Sequence, residues 1–79
     1  MKVLTTATFL ALVSEVGPEP VVDLELTLAD CGLDSFHTME LVSRLDALGI
    51  ELDEDAMIRA VTLHDLYLEC IRAAAQGPP

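Results

Sequence analysis

The sequence predicts a single all-α domain, on the basis of its length, its composition and its periodicity. At 79 residues, the chain makes one domain that buries only about 60–65% of its unfolded surface, so a deep catalytic cavity is not expected. Aromatic residues make up 4% of the chain, and the abundant Leu, Val and Ala favour small helical packing over a sheet. Apolar residues recur with helical spacing in separate segments, which together predict four helices.

The first helix is predicted from Val3 to Val16, because one side of this segment is consistently apolar. Gly17 and Pro18 end it, since Gly suits a helix C-terminus and Pro cannot continue the hydrogen-bond ladder. The predicted core side consists of Phe9, Leu10, Leu12, Val13 and Val16. The predicted outer side consists of Leu4, Ala7, Thr8, Ala11, Ser14 and Glu15.

Residues 18–34 have no sustained period and are predicted to form a long ordered loop. Leu24, Leu26 and Leu28 alternate with polar residues, so a lone strand is the alternative, but the sequence offers no second strand to pair with it. We expect these leucines to fill part of the core. A loop of this length in so small a domain tends to be functional.

The second helix is predicted to begin after Asp34 and to end at Gly49, and its two sides differ in character. One side is a core stripe of Thr38, Leu41, Val42, Leu45 and Leu48. The other side groups Phe36, Met39, Ser43 and Ala47 beside Glu40 and Asp46. Apolar side chains rimmed by carboxylates predict a docking surface for another protein. The alternative is that a neighbouring helix or the loop covers Phe36 and Met39.

A short third helix is predicted from about Glu54 to Ala60. It follows Asp53, and the three consecutive acidic residues 53–55 offer carboxylates to the positive end of the helix and to its free N–H groups.

The fourth helix is predicted from Leu63 to Ala75, with Thr62 as its N-cap and Asp65 three residues later in the manner of a capping box. Its inward side is predicted to hold Leu63, Leu66, Tyr67, Cys70 and Ala74, and its outward side Asp65, Glu69 and Arg72. The whole domain is predicted to span residues 1–76, and residues 77–79 to form a flexible tail.

The charge of the chain excludes some classes of partner. Fourteen Asp and Glu stand against four Lys and Arg, for a formal net charge of −10. This field repels nucleic acids and anionic membranes and speeds encounter with basic proteins. No apolar run is long enough to span a bilayer. Lys2 before the apolar run 3–13 resembles a secretory signal, but no small-x-small cleavage site follows and the helical pattern continues past it.

The two cysteines predict no metal site. Cys31 and Cys70 lie far apart, without a neighbouring His or Cys at metal-ligand spacing. We interpret them as small buried apolar residues in a reducing cytoplasm, with a disulfide as the alternative. Calcium is not expected either, because residues 23–34 lack the mid-loop Gly of a calcium loop and residues 51–55 are too few.

No combination of residues predicts an enzyme active site. The chain has no Walker loop, no dinucleotide-binding glycine pattern and no paired nucleophile and base. His37 is near Ser35, but helical side chains two residues apart point about 200° away from each other. We therefore expect His37 to be solvated or to contact a partner. His64 has no stronger claim to a catalytic role. From these patterns alone, Ser35 is an ordinary cap of the second helix.

The segment Leu28-Ala29-Asp30-Cys31-Gly32-Leu33-Asp34-Ser35-Phe36 resembles the phosphopantetheine attachment motif of acyl and peptidyl carrier proteins, usually Leu-x-x-Leu-Gly-x-Asp-Ser-Leu. The similarity continues through Glu40-Leu41 and Leu45, then Gly49-Ile50-Glu51-Leu52, and then Thr62-Leu63-His64-Asp65-Leu66, which is similar to the family's Thr-Val-x-Asp-Leu. It covers essentially the whole chain in the right order and spacing. The resemblance implies a four-helix bundle with a short third helix.

The resemblance also implies a function. A phosphopantetheinyl transferase would use the hydroxyl of Ser35 as acceptor for 4′-phosphopantetheine from coenzyme A, and Asp34 would lie near the phosphodiester. The chain would then be a covalent carrier, not an enzyme, and would hold acyl or aminoacyl groups as thioesters for loading enzymes, synthases and tailoring enzymes. The implied partner face consists of Phe36, Met39, Glu40, Ser43 and Asp46.

Three departures from the family pattern bear on the pathway. Cys31 replaces a common Leu, Phe36 replaces Leu or Ile after the attachment Ser, and no Pro follows the connection after the second helix. Phe36, together with Arg44 on an acidic helix, favours polyketide, nonribosomal peptide or related specialised biosynthesis over fatty acid synthesis. We expect a monomer in the cytoplasm. The competing hypothesis is a small helical interaction domain in which Ser35 is only a cap.

Overall fold

The structure is a computed structural model, and it describes residues 4–75. These residues form four helices, α1 (Thr6–Val16), α2 (Ser35–Ala47), α3 (Glu54–Arg59) and α4 (Leu63–Ala75). The predicted all-α fold with a short third helix is thereby confirmed. Val3, the predicted first residue of α1, and the predicted tail 77–79 lie outside the described residues. None of the described helices has the length and apolar character needed to cross a bilayer.

Helix α1 begins later than predicted, and this changes the position of Leu4. The Thr5 hydroxyl caps the helix by accepting from the backbone N–H of Thr8 at 3.1 Å. Leu4 therefore precedes the helix, and the prediction that it lies on the outer side of α1 is wrong, because its side chain is buried in the core. Its carbonyl accepts a 2.8 Å hydrogen bond from the hydroxyl of Tyr67, which joins this end of the chain to α4.

The core lies between α1, α2 and α4. Its fully buried large side chains are Phe9, Val13, Leu41, Leu45, Leu63, Leu66 and Cys70. All seven were predicted to face inward. Leu48, also predicted in the core stripe of α2, is 38% exposed. It lies at the C-cap, where the chain has left the helix, so the helical spacing no longer determines its direction.

The C-terminus of α2 shows why Gly49 ends this helix. Gly49 has a φ of +87°, a left-handed conformation that glycine adopts without steric cost. Its N–H donates to the carbonyl of Asp46, and the N–H of Ile50 donates to the carbonyl of Leu45, both at 2.9 Å. These two bonds form a Schellman motif, which satisfies carbonyls that the helix leaves without partners.

The long loop before α2 is ordered by hydrogen bonds to its neighbours. The carbonyls of Leu26 and Leu24 accept from the N–H groups of Leu63 and His64 at 2.9 and 2.8 Å. Leu24, Leu26 and Leu28 are half-buried against the core, as predicted. Within residues 4–75, the strand alternative is reduced to a single bridge between residues 27 and 62. The loop is thus fastened to the start of α4.

Helix α3 packs against α4 through small residues and one ion pair. Asp53 caps α3 by accepting from the N–H of Ala56 at 2.7 Å, and Ala56 is buried. Arg59 donates to Glu69 on α4 at 2.8 Å. The prediction that Glu69 points outward is wrong, because this contact turns the carboxylate toward α3 and leaves its side chain 13% exposed.

Cys31 and Cys70 are both free and buried. Burial raises the pKa of the Cys70 thiol to about 12, which keeps the thiol protonated and unreactive at neutral pH. The interpretation of both cysteines as apolar core residues is confirmed.

Candidate functional site

The chain reaches α2 through a turn that depends on a glycine. Gly32 has a φ of +74°, and a Cβ atom at this position would lie 3.0 Å from the ring of Pro18. Both the backbone conformation and the limited space beside Pro18 therefore favour glycine. The N–H of Leu33 then donates to the carbonyl of Leu28 at 3.1 Å, and the side chain of Leu33 is buried. These contacts hold the backbone in place directly before α2.

Asp34 is the N-cap of α2, and His37 completes the cap. An Asp34 carboxylate oxygen accepts from the N–H of His37 at 3.0 Å and lies 2.8 Å from the Nδ1 atom of the same residue. The Asp34 N–H in turn donates to that Nδ1 atom at 3.5 Å, which completes a reciprocal capping box. The hydrogen bond from the His37 N–H is the main reason that the pKa of the Asp34 carboxyl lies below its ordinary value of 3.8.

This arrangement corrects the prediction for His37. The sequence predicts a solvated or partner-contacting side chain, but its side chain is 23% exposed and bends back onto Asp34. The usual capping box has Glu or Gln at this position, which is why the sequence did not indicate the role. His64, the second residue of α4, is exposed.

Ser35 is the first residue of α2 and is exposed. It is not the N-cap, because Asp34 has that role, so the interpretation of Ser35 as an ordinary cap is wrong. The backbone carbonyl of Ser35 accepts from the Thr38 hydroxyl at 3.0 Å, and this bond stabilises the first turn. The capping bonds of α2 therefore leave the hydroxyl of Ser35 facing solvent without a structural task.

The electrostatic setting of Ser35 suits an anion. The N-terminus of a helix carries a partial positive charge and N–H groups that lack intrahelical partners. Helix α2 has no acidic residue in its first turn, and the Asp34 carboxylate that precedes it accepts from the N–H of His37. A phosphate group bonded to Ser35 would lie beside these N–H groups, as phosphates do at other helix N-termini.

The predicted partner face of α2 is exposed. Phe36 and Met39 are 74% and 72% exposed, so the alternative that a helix or the loop covers them is wrong. Glu40, Ser43 and Asp46 are exposed as well. Glu40 lies 3.5 Å from the guanidinium of Arg44, which also approaches Glu15 on α1 at 3.4 Å.

A groove of about 630 Å³ runs between α2 and α3, with Ser35 in its lining. This volume lies within the roughly 300–1,000 Å³ that small-molecule sites occupy. From α2 the lining includes Ser35, Thr38, Met39, Val42, Ser43 and Asp46. From the connection and α3 it includes Glu51, Leu52, Asp53, Met57 and Ile58. The groove is therefore a mainly apolar channel that adjoins the exposed hydroxyl.

The structure brings most of the predicted site residues together and adds others. Ser35, Met39, Ser43 and Asp46 share the groove, whereas Phe36 and Glu40 lie exposed on α2 outside it. The sequence did not indicate the contribution of α3, where Ile58 is 79% exposed. An Ile outside any core stripe was the one available signal. Among residues 4–75 the acidic and sulfur-bearing side chains form no cluster suited to a metal ion.

Comparison with known proteins agrees with this geometry. Residues 7–68 match the family model described as the phosphopantetheine attachment site. Searches of curated proteins and of solved structures gave no match. The family match spans most of the chain, from the first turn of α1 into α4, and includes the whole of the groove between α2 and α3. The chain therefore belongs to the phosphopantetheine attachment site family, whose members carry covalently attached 4′-phosphopantetheine.

Proposed function

We propose that this protein carries acyl or aminoacyl intermediates as thioesters on a 4′-phosphopantetheine arm attached to Ser35. The observation that supports this assignment best is the exposed hydroxyl of Ser35 at the first position of α2, within a chain of the phosphopantetheine family. Another exposed serine on the same helix, Ser43, lies in its third turn and away from the positive end of the dipole.

The attachment step requires an enzyme, because the chain offers Ser35 no base. His37 is held against Asp34 by the capping box. A phosphopantetheinyl transferase would supply the base that accepts the serine proton, as well as the Mg²⁺. The oxygen of Ser35 forms a bond to the phosphorus next to pantetheine in coenzyme A, and the bond from that phosphorus to the departing adenosine 3′,5′-bisphosphate breaks. The α2 N-terminus then lies beside the phosphodiester.

The residues present fit the arm. Ser35 leaves room for a substituent because it is exposed, and the groove that begins there offers apolar side chains along α2 and α3. When bound, the arm supplies a terminal thiol that holds cargo as a thioester. Met39, Val42 and Ile58 would shield the arm from water between reactions, and the groove is open enough to release it.

The proposed partner face is the exposed side of α2, formed by Phe36, Met39, Glu40, Ser43 and Asp46. Phe36 and Met39 supply apolar contact area, and the carboxylates attract basic residues of the transferase and of the loading, synthase and tailoring enzymes. Charged groups of this kind contribute orientation and association rate more than affinity. The net charge of −10 acts in the same direction at longer range.

The remaining parts of the proposal concern the setting. We place the protein in polyketide, nonribosomal peptide or related specialised biosynthesis, as a monomer that is a substrate of its partner enzymes and has no catalysis of its own. Phe36, exposed where the family has Leu or Ile, supports a specialised partner. The two free buried cysteines are consistent with a reducing cytoplasm.

Intact mass spectrometry tests the proposal. The unmodified chain is incubated with coenzyme A, Mg²⁺ and a broad-specificity phosphopantetheinyl transferase. We expect the wild type to gain the mass of one phosphopantetheine and Ser35→Ala to gain none. Ser43→Ala, which alters the partner face but keeps the attachment serine, should reach the same final mass as wild type at completion. If the wild type gains no mass, or Ser35→Ala gains as much as wild type, the carrier assignment is wrong.

A further inference from the structure

The charged side chains that line the α2–α3 groove are all acidic. Its apolar side chains are Met39, Val42, Leu52, Met57 and Ile58. Its polar side chains are three hydroxyls, Ser35, Thr38 and Ser43, and three carboxylates, Asp46, Glu51 and Asp53, and no Lys, Arg or His is among the described residues that line it. Any group held in this groove therefore meets an apolar surface with negative charge at its edge.

The arginines of the described region neutralise this edge only in part, because Arg59 approaches Asp53, and Arg59 and Arg72 line the neighbouring cavity together with Glu51. Arg59 forms its shortest ion pair with Glu69, at 2.8 Å, and is 4.0 Å from Asp53. Arg72 also approaches Glu69, and Arg44 lies between Glu15 and Glu40. In the ion pairs formed within residues 4–75, no cation is within 4.0 Å of the carboxylates of Asp46 or Glu51.

Asp46 lies at the opposite end of α2 from the attachment position. Ser35 and Asp46 both line the groove from α2, and at 1.5 Å of rise per residue they are separated by about 16 Å along the helix axis. An arm fixed to Ser35 and extended along the groove would bring its thioester toward Asp46 and Glu51. A substituent next to the thioester carbonyl would then lie near these carboxylates.

We infer that the groove selects its cargo by charge and suits an apolar acyl group that bears an ammonium, that is, an aminoacyl thioester, over one that bears a carboxylate. This inference rests on the proposed carrier function. An ammonium gains from Asp46 and Glu51 while its apolar side chain contacts Met39 and Met57. A carboxylate in the same place is repelled by both acidic residues and finds no cation in the lining. A neutral cargo falls between the two.

Three matched cargoes test the inference. Leucyl, isocaproyl and isobutylmalonyl groups share one carbon skeleton and differ in having an ammonium, a hydrogen or a carboxylate next to the thioester carbonyl. Each is installed from its coenzyme A thioester by the transferase, and intact mass confirms loading. Groove occupancy is then measured by NMR, from chemical-shift changes of the Met39 and Met57 methyl groups relative to the protein with the bare arm.

We expect the occupancy equilibrium to favour leucyl over isocaproyl by roughly fivefold and isocaproyl over isobutylmalonyl by roughly the same factor, since a unit-charge contact near 4 Å in water changes an equilibrium by about this factor. High salt should reduce the difference. The double variant Asp46→Asn, Glu51→Gln should also reduce it, whereas Glu25→Gln, an exposed carboxylate outside this groove, should not.

Equal occupancy for the three cargoes, or a preference for isobutylmalonyl, would overturn the inference while leaving the carrier function intact. A difference that persists in the double variant would overturn it too, because the discrimination would then come from elsewhere. If intact mass shows that no cargo is loaded in the first place, the carrier function itself is wrong, and the inference is lost together with it.

Discussion

Helices α2 and α4 both begin with a reciprocal capping box, in which a side chain before the helix and one in its first turn bond to each other's backbone N–H. At α2 the pair is Asp34 and His37, with the closing N–H bonds at 3.0 and 3.5 Å. At α4 it is Thr62 and Asp65, at 3.1 and 3.2 Å. The residue directly after the cap is where they differ, because Ser35 is exposed and Leu63 is fully buried.

The comparison separates structural from functional roles at a helix N-terminus. Capping fixes the direction in which the first helical residue points, and it works equally for a buried apolar side chain and for an exposed hydroxyl. At α4 the first helical residue, Leu63, packs in the core. The first two N–H groups of this helix donate to the carbonyls of Leu26 and Leu24, which hold the long loop against it. At α2 the same device holds the proposed attachment position in solvent, beside the groove.

The largest expected effect on stability is at Leu63, the buried residue after the α4 cap. Leu63→Ala should lower the free energy of unfolding by about 2–5 kcal/mol, because it leaves a cavity at a fully buried position. Ser35→Ala should change it by no more than about 0.5 kcal/mol, as at other exposed positions. Urea denaturation followed by circular dichroism measures both.

Leu63→Met, which conserves volume, is the control and should cost less than about 1.5 kcal/mol. Similar losses for Leu63→Ala and Ser35→Ala would mean that the two helix starts do not differ as described.

Removal of the α4 cap should have the next largest effect. Thr62→Ala deletes the hydroxyl that accepts from the N–H of Asp65 and should cost about 0.5–2 kcal/mol of unfolding free energy. Thr62→Ser retains the acceptor and should recover most of this loss in the same urea titration. If the serine variant is as unstable as the alanine variant, the methyl group and not the cap is responsible.

Acid should weaken the α4 cap. The N–H groups of Thr62 and Val61 donate to the Asp65 carboxylate and lower its pKa from the ordinary 3.8. A carboxyl whose pKa is lowered by folding contributes its full stabilisation above the unfolded pKa and loses it as the pH falls through the folded pKa. The thermal midpoint of wild type should therefore exceed that of Asp65→Asn at neutral pH, and the gap should close as the pH falls below about 4. A gap that stays constant from neutral to acid pH would contradict this account of Asp65.

Changes on the exposed side of α2 should have the smallest effect on stability and a clear effect on recognition. Met39→Glu and Glu40→Lys should shift the free energy of unfolding by about 0.5 kcal/mol or less, because both residues are exposed. Both should slow phosphopantetheine transfer several-fold in a mass-spectrometric time course. Val22→Glu, which alters an apolar side chain that is 87% exposed on the loop, is the matched control and should leave the rate unchanged. Loss of the folded circular-dichroism signal in either α2 variant would show that this face is part of the core.

Much of the fold follows from local patterns. The bounds of α4 and its capping box were predicted as observed, because a Thr with an Asp three residues later and a clean apolar side are strong signals within one segment. The positions of Leu4 and Leu48 were not, because a helical pattern extended beyond the actual helix ends assigns directions that the backbone no longer follows. His37 was missed because an imidazole rarely closes a capping box.

The candidate site was predictable only in part. The position of Ser35 and the exposed side of α2 followed from the motif and the periodicity of a single helix. The groove did not, because it depends on how α3 is placed against α2, and six residues of α3 have too little periodicity to indicate which side is covered. The ion pair between Arg59 and Glu69, which joins α3 to α4, is a contact between distant residues that no local pattern indicates.

The central claim is that the exposed residue after the α2 cap receives the arm. Fragmentation mass spectrometry of the modified wild-type protein tests it most directly, because it assigns the added mass to one residue. We predict that one phosphopantetheine is found on Ser35. Its presence on Ser43 or on any other residue, with Ser35 unmodified, would contradict the account.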